Sequence, residues 1–246
     1  MLDMSIEAMT PPPRKRRHPH GIGSSELALA MLTFGEGDAV SAPRWMREKA
    51  KASPRFGCPF WVAQKLGIAA PDKGATQDRG TAREPELLDA WIAKLERDEW
   101  SVPAEREVDP DSVQWWGALP KEFPPLRDRL SPIASYPDGW ARTWAGELVL
   151  ISIKCARYGY SKPAWWNGIT EAPWYYAVQQ HGEHAVISAK RSIVVVGCGW
   201  NRDEEDPRSD GPLLVLTVDR DAAEIERARD VARRAWALVE PRIART

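Results

Sequence analysis

Tyr136-Pro137-Asp138-Gly139-Trp140, followed after a short gap by Glu147-Leu148-Val149-Leu150-Ile151-Ser152-Ile153-Lys154, is the stretch that decides the fold of this chain. The first segment is a turn, the second an apolar strand that ends in lysine. Side chains two apart in a strand share a face, roughly 6.6 Å apart, so Ser152 and Lys154 point together while Ile151 and Ile153 point into packing. A carboxylate such as Asp138 set beside an ammonium is the arrangement that holds a divalent metal and assists phosphodiester hydrolysis. The usual form of the pattern is Asp, a spacer, then Glu-x-Lys, and here Ser152 stands where that second acid would be. Taken singly, Asp138 would only stabilise its own turn and Lys154 would only snorkel to solvent. It is the turn leading into the strand that joins them into one reading.

The 246 residues, 43% hydrophobic and 28% charged, suffice for one sizeable α/β core. A formal net charge of −1 gives no global attraction to nucleic acid. Contacts to DNA would therefore come from local basic groups, and two are present: Arg14-Lys15-Arg16-Arg17, and Lys154 with Arg157 and Lys162. Cys58, Cys155 and Cys198 form no C-x-x-C pair and read as reduced thiols. No apolar run is long enough to cross a bilayer and the first twenty residues lack a secretory core, so a cytoplasmic protein is expected. The 13 tryptophans include Trp115-Trp116 and Trp165-Trp166; stacking on bases is one use for them, filling a core the commoner one.

Residues 1–20, with Pro11-Pro12-Pro13 and the basic run, read as an extended arm, and 21–246 as a single domain. In Gly21-Ile22-Gly23-Ser24-Ser25-Glu26 a serine is placed to cap the helix that begins near Leu27, and that helix N-terminus would also suit a phosphate. A short amphipathic helix is expected over 59–66. Another is expected from Thr81, whose capping-box spacing would let Glu84 do no more than reach back to the Thr81 amide. Residues 101–135 read as a surface excursion. Beyond the strand 147–154 come a helix over about 173–186, strands over 192–198 and 213–218, and a closing helix from Asp221 with an apolar stripe of Ile225, Ala232, Trp236 and Val239.

Taken in order, these segments resemble the YqaJ-like viral recombinases, the family of phage lambda exonuclease within the PD-(D/E)xK nucleases. Gly21–Glu26 is similar to the opening "GIGGSD", Gly80-Thr81-Ala82-Arg83-Glu84-Pro85 to "G-x-x-x-E-P", Pro137-Asp138-Gly139 to "PDG", and Ile153-Lys154-Cys155 to the end of "E-I-K-C". Trp174–Gln179 resembles "YY-x-Q", and Val218-Asp219-Arg220-Asp221 with Trp236 the terminal "R-D…F-W" helix. The resemblance implies a restriction-endonuclease-like α/β fold, a central mixed β-sheet flanked by helices. It also implies cleavage of linear duplex DNA, usually 5′ to 3′, supported by Mg2+ or Mn2+. Asp138 and Glu84 would hold the metal together with the Ile153 carbonyl, Lys154 would orient water or stabilise charge, and Gln179 would position the water. Ser24 or Ser25, with Arg16 or Arg17, would take the terminal phosphate, and Arg157 and Lys162 would contact DNA. A ring-shaped homo-oligomer and a single-strand annealing partner belong to the same expectation.

Ser152 breaks the pattern. A neutral hydroxyl removes one negative charge beside a dication, worth roughly 4 kcal/mol at about 4 Å and an effective dielectric near 20, on the order of a thousandfold. Glu147 is a poor substitute, roughly 17 Å up the strand and on its other face. Glu183 is better placed, one helical turn after Gln179 on the same face. With Glu183 in that role the chain is an active nuclease. Without it, the chain is either an engineered inactive form or a natural non-catalytic module that grips DNA ends or another protein. Restoring Ser152→Glu is expected to create or raise activity. His181 and His184, three apart on a helix with no third ligand, read as exposed or packing residues rather than a metal site, and no Gly-rich loop with a following lysine suggests nucleotide binding.

Overall fold

The computed structural model describes residues 21–70, 125–142, 147–156, 171–198 and 213–243. Glu84, Arg16, Arg17, Arg157 and Lys162, the arm 1–20 and both tryptophan pairs lie outside the described residues.

Four strands form a mixed sheet: β6 (Gly139–Arg142), β7 (Leu148–Ala156), β8 (Arg191–Cys198) and β9 (Leu213–Asp219), in the order β6-β7-β8-β9. The β6–β7 and β8–β9 pairs are antiparallel and β7–β8 is parallel. The near-continuous apolar run Val149–Ile153 becomes a central strand because it is buried on both faces, where alternation is no longer required. Parallel pairing needs a long crossover. The helix α4 (Trp174–Val186) lies in that crossover and packs on one sheet face, where Tyr176 and Ala177 meet Val194, Val196, Leu216 and Val218. Register pairs Ser152 with Val194 and Lys154 with Val196, so both residues of the motif lie under α4.

A smaller sheet, in the order β1-β5-β4, joins β1 (Ile22–Gly23), β5 (Ile133–Ser135) and β4 (Leu126–Arg127). β5 corrects the expectation of a surface excursion over 101–135: Ile133, Ala134 and Ser135 are buried, and Ile133-Ala134 pair in parallel with Ile22-Gly23. Three residues are too short for a period to register in sequence, and their burial depends on a partner more than a hundred positions away. A single 3-10 turn (Ser24–Glu26) leads into α1 (Leu27–Thr33), followed by α2 (Arg44–Ala50), the hairpin of β2 (Ala52–Ser53) with β3 (Cys58–Pro59), and α3 (Phe60–Lys65). The last helix, α5 (Ala222–Ile243), buries Ile225, Ala232 and Val239 of the expected stripe, with Trp236 packed alongside. Asp221 caps it, accepting the Ala223 and Glu224 amides at 2.7 and 3.1 Å.

The serine cap expected at α1 is not what forms. Glu26 accepts the Gly23 amide at 2.7 Å and is held by Lys65 at 2.6 Å, leaving the Ser24 hydroxyl to turn inward. Close helix packing makes that possible: a Cβ on Gly182 of α4 would stand 2.4 Å from Leu27 Cδ1 and 3.3 Å from Ser24 Cβ. Gly182→Ala gains about 1 kcal/mol of helix propensity and loses about 1–3 kcal/mol to overpacking against a fully buried leucine. A net loss of about 1 kcal/mol is expected in urea melts, with reduced activity because Ser24 is displaced.

Candidate active site

Pro137 ends the β6–β7 ladder and thereby opens the site. Ile153 donates its amide to Asp138 Oδ2 at 2.8 Å, so the peptide groups of Ile153 face the β6 side of β7. The register sets Gly139 opposite Ile151, which places position 137 opposite Ile153. Proline has no N–H, so the Ile153 carbonyl receives no ladder bond from that strand. A peptide oxygen is thus left without a ladder partner on the side of β7 that faces Asp138.

Asp138 is fixed from three directions. Besides the Ile153 amide, its Oδ2 accepts the Ser152 hydroxyl at 3.3 Å and lies 3.6 Å from Lys154 Nζ. Both head groups therefore meet on one side of the molecule, half-open to solvent, with side-chain exposures of 30% for Asp138 and 18% for Lys154. Ser152 is fully buried. It orients Asp138 and brings no charge.

The second acid arrives from α4. Glu183 is 2% exposed, and its Oε1 accepts the Gln179 amide at 2.9 Å and the Ser24 hydroxyl at 3.3 Å. Ser24 has one proton, so Ser135, 2.8 Å away, is the donor in their shared hydrogen bond. A relay of two buried hydroxyls thus runs from β5 through the 3-10 turn to Glu183. The other oxygen, Oε2, is buried without a hydrogen-bond partner among the described residues. Burial pushes the Glu183 carboxyl up to about 7; Lys154 pulls it down and Asp138 pushes it up, so both lie close enough to act on it. Glu147, by contrast, pairs with Lys190.

An orphaned buried carboxylate oxygen costs about 1–3 kcal/mol unless something occupies it. Asp138, Glu183 and the Ile153 carbonyl offer only oxygens, the donor set that suits a hard divalent cation such as magnesium. Among the described residues no group of three or more His, Cys, Asp and Glu side chains gathers as a metal cluster. These two acids are the available carboxylates of the set, with Glu84 outside the described residues.

His181 and His184 are buried packing residues: His184 Nε2 lies 2.9 Å from Ser192 Oγ, and burial drives that imidazole down to about 4. Ser24 is 5% exposed and committed to Glu183, whereas Ser25 is exposed. Of the two serines expected at a terminal phosphate, only Ser25 faces solvent. Sequence reasoning missed Ser135, which sits in the unrecognised β5, and the polar run Gln180–His184 gave no local sign that it would be buried rather than solvated. A polar stretch inside a helix that must pack on both sides was the available signal.

No family model matches the chain, and no curated protein sequence matches it. Among solved structures, an alkaline exonuclease from Laribacter hongkongensis, LHK-Exo, is similar with a TM-score of 0.54 at 16% identity, over 92% of this chain and 91% of that one. The complex of LHK-Exo with dAMP gives 0.50 at 18% identity over the same shares. No described helix is long and apolar enough to cross a membrane. The mixed sheet, its flanking helices and the extent of the match show that this chain has the fold of that exonuclease.

Proposed function

We propose that the protein is a metal-dependent exonuclease acting on linear duplex DNA, with Glu183 of α4 in place of the strand acid that Ser152 replaces. The observation that carries this reading is the buried Glu183 Oε2, without a hydrogen-bond partner among the described residues, beside the Asp138–Lys154 pair. A carboxylate buried for packing alone would be a net cost; one that shares a cation with Asp138 is compensated. When bound, Mg2+ or Mn2+ supplies Lewis-acid stabilisation of charge on the phosphoryl oxygens. Asp138 and Glu183 would hold that ion, and Ser152 and the Ile153 amide fix the Asp138 carboxylate for it. Lys154 places an ammonium where negative charge develops on the scissile phosphate. Gln179 donates one amide hydrogen to Glu183 and has a second for a nearby water.

The motif order supports 5′ to 3′ polarity and a role in preparing ends for recombination, with a single-strand annealing protein as partner and a ring of identical subunits as the assembly. Purified protein with end-labelled linear duplex and magnesium or manganese is expected to release nucleotides, 5′ label first, and to leave closed circles intact. Asp138→Asn is expected to lower that rate by on the order of a thousandfold. An inactive DNA-binding module would instead bind the ends and cut neither form.

A further inference from the structure

The geometry points to Tyr136 as a stacking platform for the base at the DNA end, a subsite that deepens the nuclease reading and rests on it. Burial alternates through this segment: Ser135, Pro137 and Gly139 are buried, Asp138 is half-buried and Tyr136 is 41% exposed. Tyr136 is thus exposed two residues before the half-buried Asp138, beside the open side of that carboxylate. A base hangs from its phosphate through a single sugar, so a ring beside the metal-holding acid is in the right place to meet the base of the nucleotide being cut.

The platform is also stiff. A residue before proline is confined to extended conformations, and Pro137 has its own φ locked. On one side Ser135 is held by Ser24 at 2.8 Å, and on the other Asp138 is held by the Ile153 amide at 2.8 Å. Little backbone freedom remains to be lost when a base binds. Charge gives a second reason for such a contact. Among the described residues Asp138 and an ionised Glu183 together outweigh Lys154, and the whole chain carries a formal charge of −1, so a phosphate gains little attraction there until a cation is bound. Stacking on a π-face holds the end without charge and tolerates any base.

Fluorescence anisotropy tests this with the full chain, calcium in place of magnesium, and two linear duplexes, one intact and one whose terminal base pair is replaced by abasic sugars. Wild type and Tyr136→Phe are expected to bind the intact end about tenfold more tightly than the abasic one. Tyr136→Ala is expected to bind both equally, at the weaker level, with an unchanged circular dichroism spectrum. Tyr136→Leu, which keeps apolar bulk without a π-face, gives the same comparison if the alanine variant melts early. Retention of the preference in the alanine and leucine variants overturns the proposal, as does its loss in the phenylalanine variant, which would assign the contact to the hydroxyl. Wild type that degrades linear duplex in magnesium yet ignores the missing bases removes the stacking subsite alone. Wild type that neither binds nor degrades the duplex removes the nuclease reading with it.

Discussion

Glu183→Gln is expected to abolish DNA degradation and, above neutral pH, to make the protein more stable. The activity loss follows from removing one of the two negative charges that the described residues offer a dication, roughly 4 kcal/mol and on the order of a thousandfold. The stability gain follows from linkage. The folded-state pKa of Glu183 is raised from 4.5 to about 7, so the folded protein holds this proton more tightly than the unfolded chain does. Its cost is absent below pH 4.5, grows as pH rises through that window, and is complete above about 7, where it amounts to roughly 3 kcal/mol. The amide carries no charge and escapes that cost. At pH 8 the variant should melt roughly 5 to 10 °C above wild type, and at pH 4.5 the two should coincide. His184, buried and depressed to about 4, makes both proteins lose stability as pH falls below 6.5, so it cancels in the comparison. Magnesium adds a second readout: at pH 8 it should raise the melting temperature of wild type more than that of Glu183→Gln, because only the former keeps both acids. Equal melting curves at pH 8 would mean that Glu183 is not a strained acid, and the active-site assignment would fall.

Ser152→Glu is expected to rescue Glu183→Gln, raising its cleavage rate by about a hundredfold or more, while doing harm on its own. Ser152 lies under α4 and Glu183 on it, both near the Asp138–Lys154 pair, so an acid from β7 can serve where an acid from α4 did. In the wild-type background the same change sets a third carboxylate beside Asp138 and Glu183 and crowds a position that is fully buried. Overpacking costs about 1–3 kcal/mol, and the added repulsion makes the loss larger. With Glu183 in the proposed role, restoring the strand acid alone is expected to lower activity rather than raise it. Single-turnover rates on a linear duplex for the two single variants and the double variant form the test. A double variant as inert as Glu183→Gln would show that the helix acid and the strand acid are not interchangeable.

The long apolar segments were legible before any coordinates. Val149–Ile153, Ile193–Val196 and the stripe on α5 carry enough consecutive or periodic residues to declare strand or helix locally, and their observed bounds differ from expectation by a residue or two. β5 was not legible, because three residues carry no period and their burial comes from β1. The Ser24 hydroxyl was misread for a related reason: Ser24 has the spacing of a cap, but Gly182 lets α4 approach closely enough for Ser24 to bond across to Glu183 instead. Local hydrogen-bonding preferences are worth about 1 kcal/mol, and a competing long-range partner readily overrides them.

Local order in the chain determined that Asp138 would sit on a turn and Lys154 two positions beyond Ser152 on one strand face, since proline, glycine and the two-residue strand period act over a few bonds. Tertiary structure alone decided which acid stands beside them. Glu183 comes from a helix nearly thirty residues further on, and what makes it an active-site candidate rather than a solvated glutamate is its burial between Ser24, Gln179 and the sheet. Desolvation is a property of everything packed around a group, and no window of sequence contains it.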